Sequence, residues 1–184
     1  PSFIMWGPPG TGKTTLANIV AAITGCHLSA MSAVTSGVSD LRKAVNSARE
    51  RLGMNGQRTV LFIDEIHRFN KSQQDIILPH VEEGTVVLVG ATTENPSFEV
   101  VSPLLSRCRV FTLKPLSEVE IASILKNAVR SNENGLGKQS IVIEDNALAM
   151  ISNMAGGDAR WALNSLELAV DSMPIGTSTK SVTT

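Results

Sequence analysis

The chain has 184 residues, 42% hydrophobic and 18% charged, with a formal net charge of −1. That is enough for one α/β domain, or one domain with a small satellite, each with its own core, and it excludes a bulk polycation, so any nucleic-acid surface must be a local patch or arise by assembly. No apolar run approaches membrane-spanning length and no signal peptide precedes the first strand, while two distant cysteines, Cys26 and Cys108, argue for reduced thiols in a cytosolic or nuclear setting without a zinc site or disulfide framework.

The apolar run Ser2 to Trp6 reads as a strand. The chain reaches it directly from Pro1 with no initiator methionine, which reads as a fragment lacking an N-terminal element that would clamp adenine. The strand leads into Gly7-Pro8-Pro9-Gly10-Thr11-Gly12-Lys13-Thr14, a match to G-x-x-x-x-G-K-[ST], and Thr15 continues into a helical pattern through Ala21. Glycines at these positions let backbone N–H groups turn inward around phosphates. Lys13 then reaches the β- and γ-phosphates, and the Thr14 hydroxyl stands at the helix start where it can ligate magnesium. The loop predicts binding of a nucleoside triphosphate.

A short strand is predicted over Cys26 to Ser29, then a helix over Val38 to Leu52 with Leu41, Ala44, Val45, Ala48 and Leu52 on one face. Thr59 to Ile63 is a continuous β-branched and apolar run, as expected of a strand covered on both faces. A helix over Lys71 to Glu82, a buried strand over Val86 to Ala91 and a short strand over Arg109 to Leu113 follow. This alternation predicts a three-layer αβα phosphate-loop fold with a parallel five-stranded sheet.

The pattern changes after Lys114-Pro115. Helices are predicted over Glu118 to Arg130, Glu144 to Met154 and Asp158 to Val170, with no convincing central strand among them. Ser117 and Asp145 sit where N-caps are wanted, Gly156-Gly157 breaks the last two helices, and Ser131 to Ser140 reads as a loop. The predicted organisation is therefore an α/β core over 1–115, a helical lid over 116–172 and a linker or disordered tail over 173–184.

Asp64 and Glu65 end the buried strand, at the edge where a parallel sheet presents its ligand-binding groups. Asp64 would hold magnesium, directly or through water, and Glu65 would polarise the water that attacks the γ-phosphate. The second buried strand ends in Thr92-Thr93, and a hydroxyl there would orient that water; Thr93 is the first candidate and Thr92 the second.

With Ser106-Arg107-Cys108 and Gly157-Asp158-Ala159-Arg160, these motifs form an ordered set. The set resembles the AAA+ ATPases of the clamp-loader clade, and within it the replication-associated recombination protein A family, which includes bacterial RarA (MgsA) and the eukaryotic Werner-helicase-interacting protein. The resemblance runs from Ser2 to about Asp171 and is most specific over Asp64 to Asp75 and Gly90 to Val100. It implies an AAA+ core and lid, with Arg107 as an arginine finger reaching a neighbouring subunit's ATP, Arg109 as its runner-up, and Arg160 as a lid sensor acting in its own subunit. It also places Ser29 where relatives carry a polar residue that restrains the catalytic carboxylate until DNA binds.

The activity implied is hydrolysis of ATP to ADP and phosphate, with Mg2+, by a DNA-dependent homo-oligomer. Such an enzyme would work in replication-fork maintenance, DNA repair and recombination, on single-stranded, gapped or forked DNA with single-strand-binding protein. It would reside in the bacterial cytoplasm at the nucleoid, or in a eukaryotic nucleus. A sliding-clamp loader subunit and an ATP-gated scaffold without hydrolysis are the competing readings. His67 and Arg68 either couple Glu65 to DNA or are structural, and Trp161 fits lid packing better than base stacking. The backbone N–H groups and the Thr35 and Ser36 hydroxyls of Val34 to Val38 are candidates to meet DNA phosphates, whereas Arg42, Lys43, Arg49 and Arg51 read equally as a solvated helix face.

Overall fold

A computed structural model of the chain describes residues 1–133, 135–137, 141–172 and 180–182. The chain divides into two compact units, one of residues 1–7 and 12–113, the other of residues 8–11 and those from 114 onward.

The first unit runs β1 (Ser2–Trp6), α1 (Lys13–Thr24), β2 (His27–Ser32), α2 (Val38–Asn55), β3 (Thr59–Asp64), a 3-10 turn (Ile66–Arg68), α3 (Lys71–Glu82) and β4 (Val86–Thr92). Two one-turn helices, α4 (Pro96–Glu99) and α5 (Ser102–Leu105), precede β5 (Cys108–Thr112). The strands form one sheet in the order β2-β3-β4-β1-β5, every pair parallel. Side-chain alternation along β3 explains its unbroken apolar run. Leu61 and Ile63 face a layer containing Leu41 and Ala48 of α2 and Ile77 of α3, while Val60 and Phe62 face Ala17 and Ala21 of α1. Burial on both faces selects β-branched and aromatic residues over alternating polar ones.

The crossovers carry the ends of β1, β3 and β4 to one edge of the sheet. There Gly7 is wedged between neighbours: its N–H donates to the Thr92 carbonyl at 3.1 Å, and a Cβ on it would stand 2.4 Å from the Leu113 carbonyl oxygen. Only glycine fits so close an approach.

The second unit contains α6 (Glu118–Arg130), β6 (Ile141–Ile143), α7 (Asp145–Met154), α8 (Ala159–Asp171) and β7 (Lys180–Val182). Ile121 and Leu125 of α6, Leu148 of α7 and Ala162 and Leu166 of α8 form its core. Ser117 caps α6 by the expected reciprocal bonds, its hydroxyl accepting the Glu120 N–H while the Glu120 carboxylate accepts the Ser117 N–H.

Several expectations need correction. β6 pairs in parallel with β7 as a separate two-stranded sheet, and β7 falls within the segment read as linker or tail. Three-residue strands are too short to show a period, and their pairing is non-local. Residues 173–179 and 183–184 of that segment, and residues 134 and 138–140 of the predicted loop, lie outside the described residues. The N-cap of α7 is Glu144; Asp145 is the first helical residue, where its carboxylate suits the positive end of the helix and pairs with Lys126 at 3.0 Å. The strand predicted over Cys26 to Ser29 begins at His27 and runs to Ser32, pulled onward by pairing with β3, and α2 continues to Asn55.

Gln74 ties α3 to the segment that leads to Arg107. It is 1% exposed, donates to the Phe69 and Glu99 carbonyls at 3.0 Å each, and accepts the Val101 N–H at 2.9 Å. Gln74→Leu keeps a side chain of similar size but leaves three backbone groups without their partner. The variant should lose about 2–4 kcal/mol in urea denaturation.

Candidate functional site

The phosphate loop is shaped by local backbone choices. Gly10 and Gly12 have φ of 70° and 85°, and α1 begins at Lys13 without a side-chain cap. An uncapped helix start of this kind is what a phosphate site uses. Lys13 is buried and its ammonium donates to the Gly7 carbonyl at 2.8 Å, folding back towards the end of β1. Thr14 and Thr15 follow on the exposed first turn.

Residues 8–11 cluster with the second unit. There the Thr11 hydroxyl donates to the Pro8 carbonyl at 3.0 Å, and the Ala159 N–H donates to the Gly10 carbonyl at 3.2 Å. Asp158 caps α8 by accepting from the N–H groups of Arg160 and Trp161. The Arg160 side chain is exposed on the first turn of α8. Trp161 is 42% exposed and stands outside the buried core of this unit.

In the first unit, Asp64 closes β3 and accepts the Glu65 N–H through Oδ1 at 3.2 Å. Glu65 is the one non-glycine with positive φ among the described residues, at φ 53° and ψ 46°. Its carboxylate Oε2 accepts from the Thr93 hydroxyl at 3.3 Å and lies 3.2 Å from His67 Nδ1. The end of β4 thus brings the Thr93 hydroxyl to the Glu65 carboxylate. Thr92 does not share that role: its fully buried hydroxyl is engaged by the Glu94 N–H (3.0 Å), the Glu94 carbonyl (3.1 Å) and His67 Nδ1 (3.0 Å). Among the described residues, Ser29 makes no hydrogen bond to Glu65; it lies on β2 opposite Leu61, and the group beside the carboxylate is His67. His67 was named in sequence only for its proximity to the carboxylates.

These groups fit a magnesium nucleotide. No three His, Cys, Asp or Glu side chains converge as a metal cage among the described residues. Magnesium, which prefers one or two protein ligands plus phosphate oxygens and water, does not need one.

Arg107 sits just past α5 and is held within its own chain. It forms an ion pair with Glu82 of α3 and donates to the Pro103 carbonyl at 2.8 Å and the Ser106 hydroxyl at 2.9 Å. Arg109, the alternative, is exposed on β5. The loop before α2 is largely self-satisfied: the N–H groups of Thr35 and Ser36 donate to the Ser32 carbonyl, that of Val34 to the Ser32 hydroxyl, and that of Gly37 to Asp40. The N–H groups of residues 34 to 37 are thus already bonded within the loop. Arg49 pairs with Glu83 and Arg51 donates to the Thr59 hydroxyl, whereas Arg42 and Lys43 are exposed. No described helix is long and apolar enough to cross a membrane.

A model of the ATPase family associated with various cellular activities (AAA) matches residues 3–116. The chain is 52% identical over 170 residues to replication-associated recombination protein A of Haemophilus influenzae, covering 92% of this chain and 38% of that protein. It is 51% identical over 181 residues to the protein of that name in Escherichia coli K12, covering 98% of this chain and 40% of that one. ATPase WRNIP1 of Dictyostelium discoideum is 47% identical over 170 residues, covering 92% of this chain and 19% of that protein. The chain thus spans well under half the length of these relatives. Among solved structures, the Thermotoga maritima RuvB Holliday junction branch migration motor matches with a TM-score of 0.72 and 32% identity, over 92% of this chain and 54% of that one.

Cys108, next to Arg107, provides a check on this packing. Burial pushes its thiol from 9.0 up to about 11. At pH 8 about one such thiol in a thousand is ionised. Iodoacetamide should therefore label Cys108 slowly in the native protein, about tenfold faster per pH unit towards 11, and at an ordinary thiol rate after denaturation. Mass spectrometry of the labelled peptide would read this out.

Proposed function

The chain belongs to the AAA family of ATPases, and from that premise we propose that it is the ATP-hydrolysing part of a DNA-dependent, homo-oligomeric enzyme of replication-fork maintenance, repair and recombination. The observation that carries the reading is the delivery of Lys13, Asp64, Glu65 and Thr93 to one edge of a parallel sheet by β1, β3 and β4, with Thr93 already bonded to Glu65. A nucleotide-gated scaffold would have no use for that bond. Relatives named for replication-associated recombination support the biological setting.

In this reading the turn from Gly7 to Thr15 receives the triphosphate of ATP, with Lys13 on the β- and γ-phosphates. Thr14 and Asp64 hold magnesium, which when bound neutralises charge on the phosphate oxygens. Glu65 polarises the attacking water and Thr93 keeps both in line. Arg160 acts on the γ-phosphate of its own subunit, and Arg107 reaches the ATP of a neighbour, where a planar guanidinium matches the developing phosphoryl charge. The DNA is single-stranded, gapped or forked, single-strand-binding protein is a partner, and the site of action is the nucleoid or nucleus.

The direct test is ATP turnover by the full-length protein with single-stranded, gapped, forked and duplex DNA, with and without single-strand-binding protein. Stimulation that requires a sliding clamp would transfer the chain to the clamp-loader class. Lys13→Ala should lose nucleotide binding, whereas Glu65→Gln should bind ATP normally and lose turnover, because Lys13 acts in the ground state and Glu65 only in the chemical step. Binding and single-turnover hydrolysis on the same preparations separate the two.

A mixing experiment tests Arg107. Arginine fingers contribute about 10³ to 10⁵ in rate, so Arg107→Ala assemblies should be nearly silent. Lys13→Ala assemblies should be silent for want of ATP. Mixed assemblies, with subunit exchange verified by labelling, should regain activity at interfaces that combine an intact loop with an intact arginine. Verified mixtures as inactive as either parent would exclude action across the interface.

A further inference from the structure

His67 is 9% exposed in its side chain and lies between two acceptors at the heart of the site, a position the hydrolytic scheme leaves unused. The Thr92 hydroxyl has one proton and two lone pairs. The Glu94 N–H takes one lone pair, and the Glu94 carbonyl, which can only accept, takes the proton. His67 Nδ1, at 3.0 Å, must therefore donate to the remaining lone pair. Its other neighbour, the Glu65 carboxylate at 3.2 Å, is also an acceptor. Both contacts assign the proton to Nδ1, and the hydrogen-bond network thereby fixes the ring tautomer.

We propose that His67 is a positioning residue for Glu65: its Nδ1–H, bonded to Thr92 Oγ1 and held 3.2 Å from Glu65 Oε2, attracts that oxygen electrostatically, joins the Thr93 hydroxyl in fixing it and leaves Oε1 to polarise water. This rests on the reading that Glu65 is the water-polarising carboxylate. Two groups from different elements converge on Oε2: the Thr93 hydroxyl, which donates to it from the end of β4, and the His67 ring nitrogen, 3.2 Å away on the 3-10 turn. A carboxylate on a side chain of three rotatable bonds otherwise turns freely, and a base that must meet one water in one direction gains from being held. Thr92 completes the arrangement, since its own saturated bonds lock the imidazole plane.

Side-chain geometry supplies a selective test. An asparagine amide at 67 places an N–H near the position of Nδ1, glutamine places it near Nε2, and alanine removes it. DNA-stimulated turnover of full-length protein should show kcat lowered by about tenfold or more in His67→Ala and His67→Gln, with KM for ATP within about twofold of the parent. His67→Asn should keep kcat within about threefold. Parental or raised kcat in His67→Ala or His67→Gln, or His67→Asn falling as far as alanine, would overturn the proposal. If alanine does not fold, the asparagine and glutamine pair decides alone. Glu65→Gln serves as the control: inactive beside a fully active His67→Gln, it leaves the hydrolytic reading intact and removes only this inference; active itself, it removes both.

Discussion

Ile66 is fully buried in the larger of the two layers against the sheet, in contact distance of where a side chain on Gly90 would stand. That burial holds Glu65 in a left-handed backbone conformation. Such a conformation costs roughly 1–2 kcal/mol for a residue with a Cβ, and an isoleucine taken fully out of water returns roughly 1.5–3 kcal/mol. The 3-10 turn, closed by the Arg68 N–H on the Glu65 carbonyl at 2.8 Å, adds to the restraint. Had β3 simply continued, Asp64 and Glu65 would have alternated to opposite faces of the sheet. The turn takes Glu65 out of that alternation and brings its carboxylate to Thr93, at the end of the neighbouring strand. The site at the sheet edge depends on this exchange of backbone strain for apolar burial.

β4 is the second organiser. Its middle packs on both faces, and its end divides labour between adjacent threonines. Thr92 is consumed by the turn: its carbonyl accepts from Gly7, and its hydroxyl is fully bonded. Thr93 keeps its hydroxyl for Glu65. Two residues of identical chemistry thus serve different ends because one points into the protein and the other along its edge.

Sequence was most informative where a local rule and a buried face agreed. Lys71–Glu82 and Glu118–Arg130 were legible to the residue, since Asn70 and Ser117 cap them with a Gln or Glu three positions on. The phosphate loop, Asp64 and Glu65 were legible because phosphate chemistry constrains residue type and spacing together. Elements set by distant partners were not: β6 and β7 need each other, and α4 and α5 are single turns tied down by Gln74 from across the chain. Nor does any pattern reveal that Glu65 is left-handed, that Trp161 is half-exposed, or that His67 rather than Ser29 touches the carboxylate. Those facts belong to three-dimensional neighbours.

The contacts of Arg107 have a consequence for its entropy. A free arginine side chain carries about 2 kcal/mol of rotamer freedom, which any partner that captures it must overcome. Here Glu82, the Pro103 carbonyl and the Ser106 hydroxyl already confine the guanidinium from both of its terminal nitrogens. The ordering cost falls during folding and not at the moment of encounter. An anion meeting this cation would compete with Glu82 for its charge, but would have less side-chain freedom to remove.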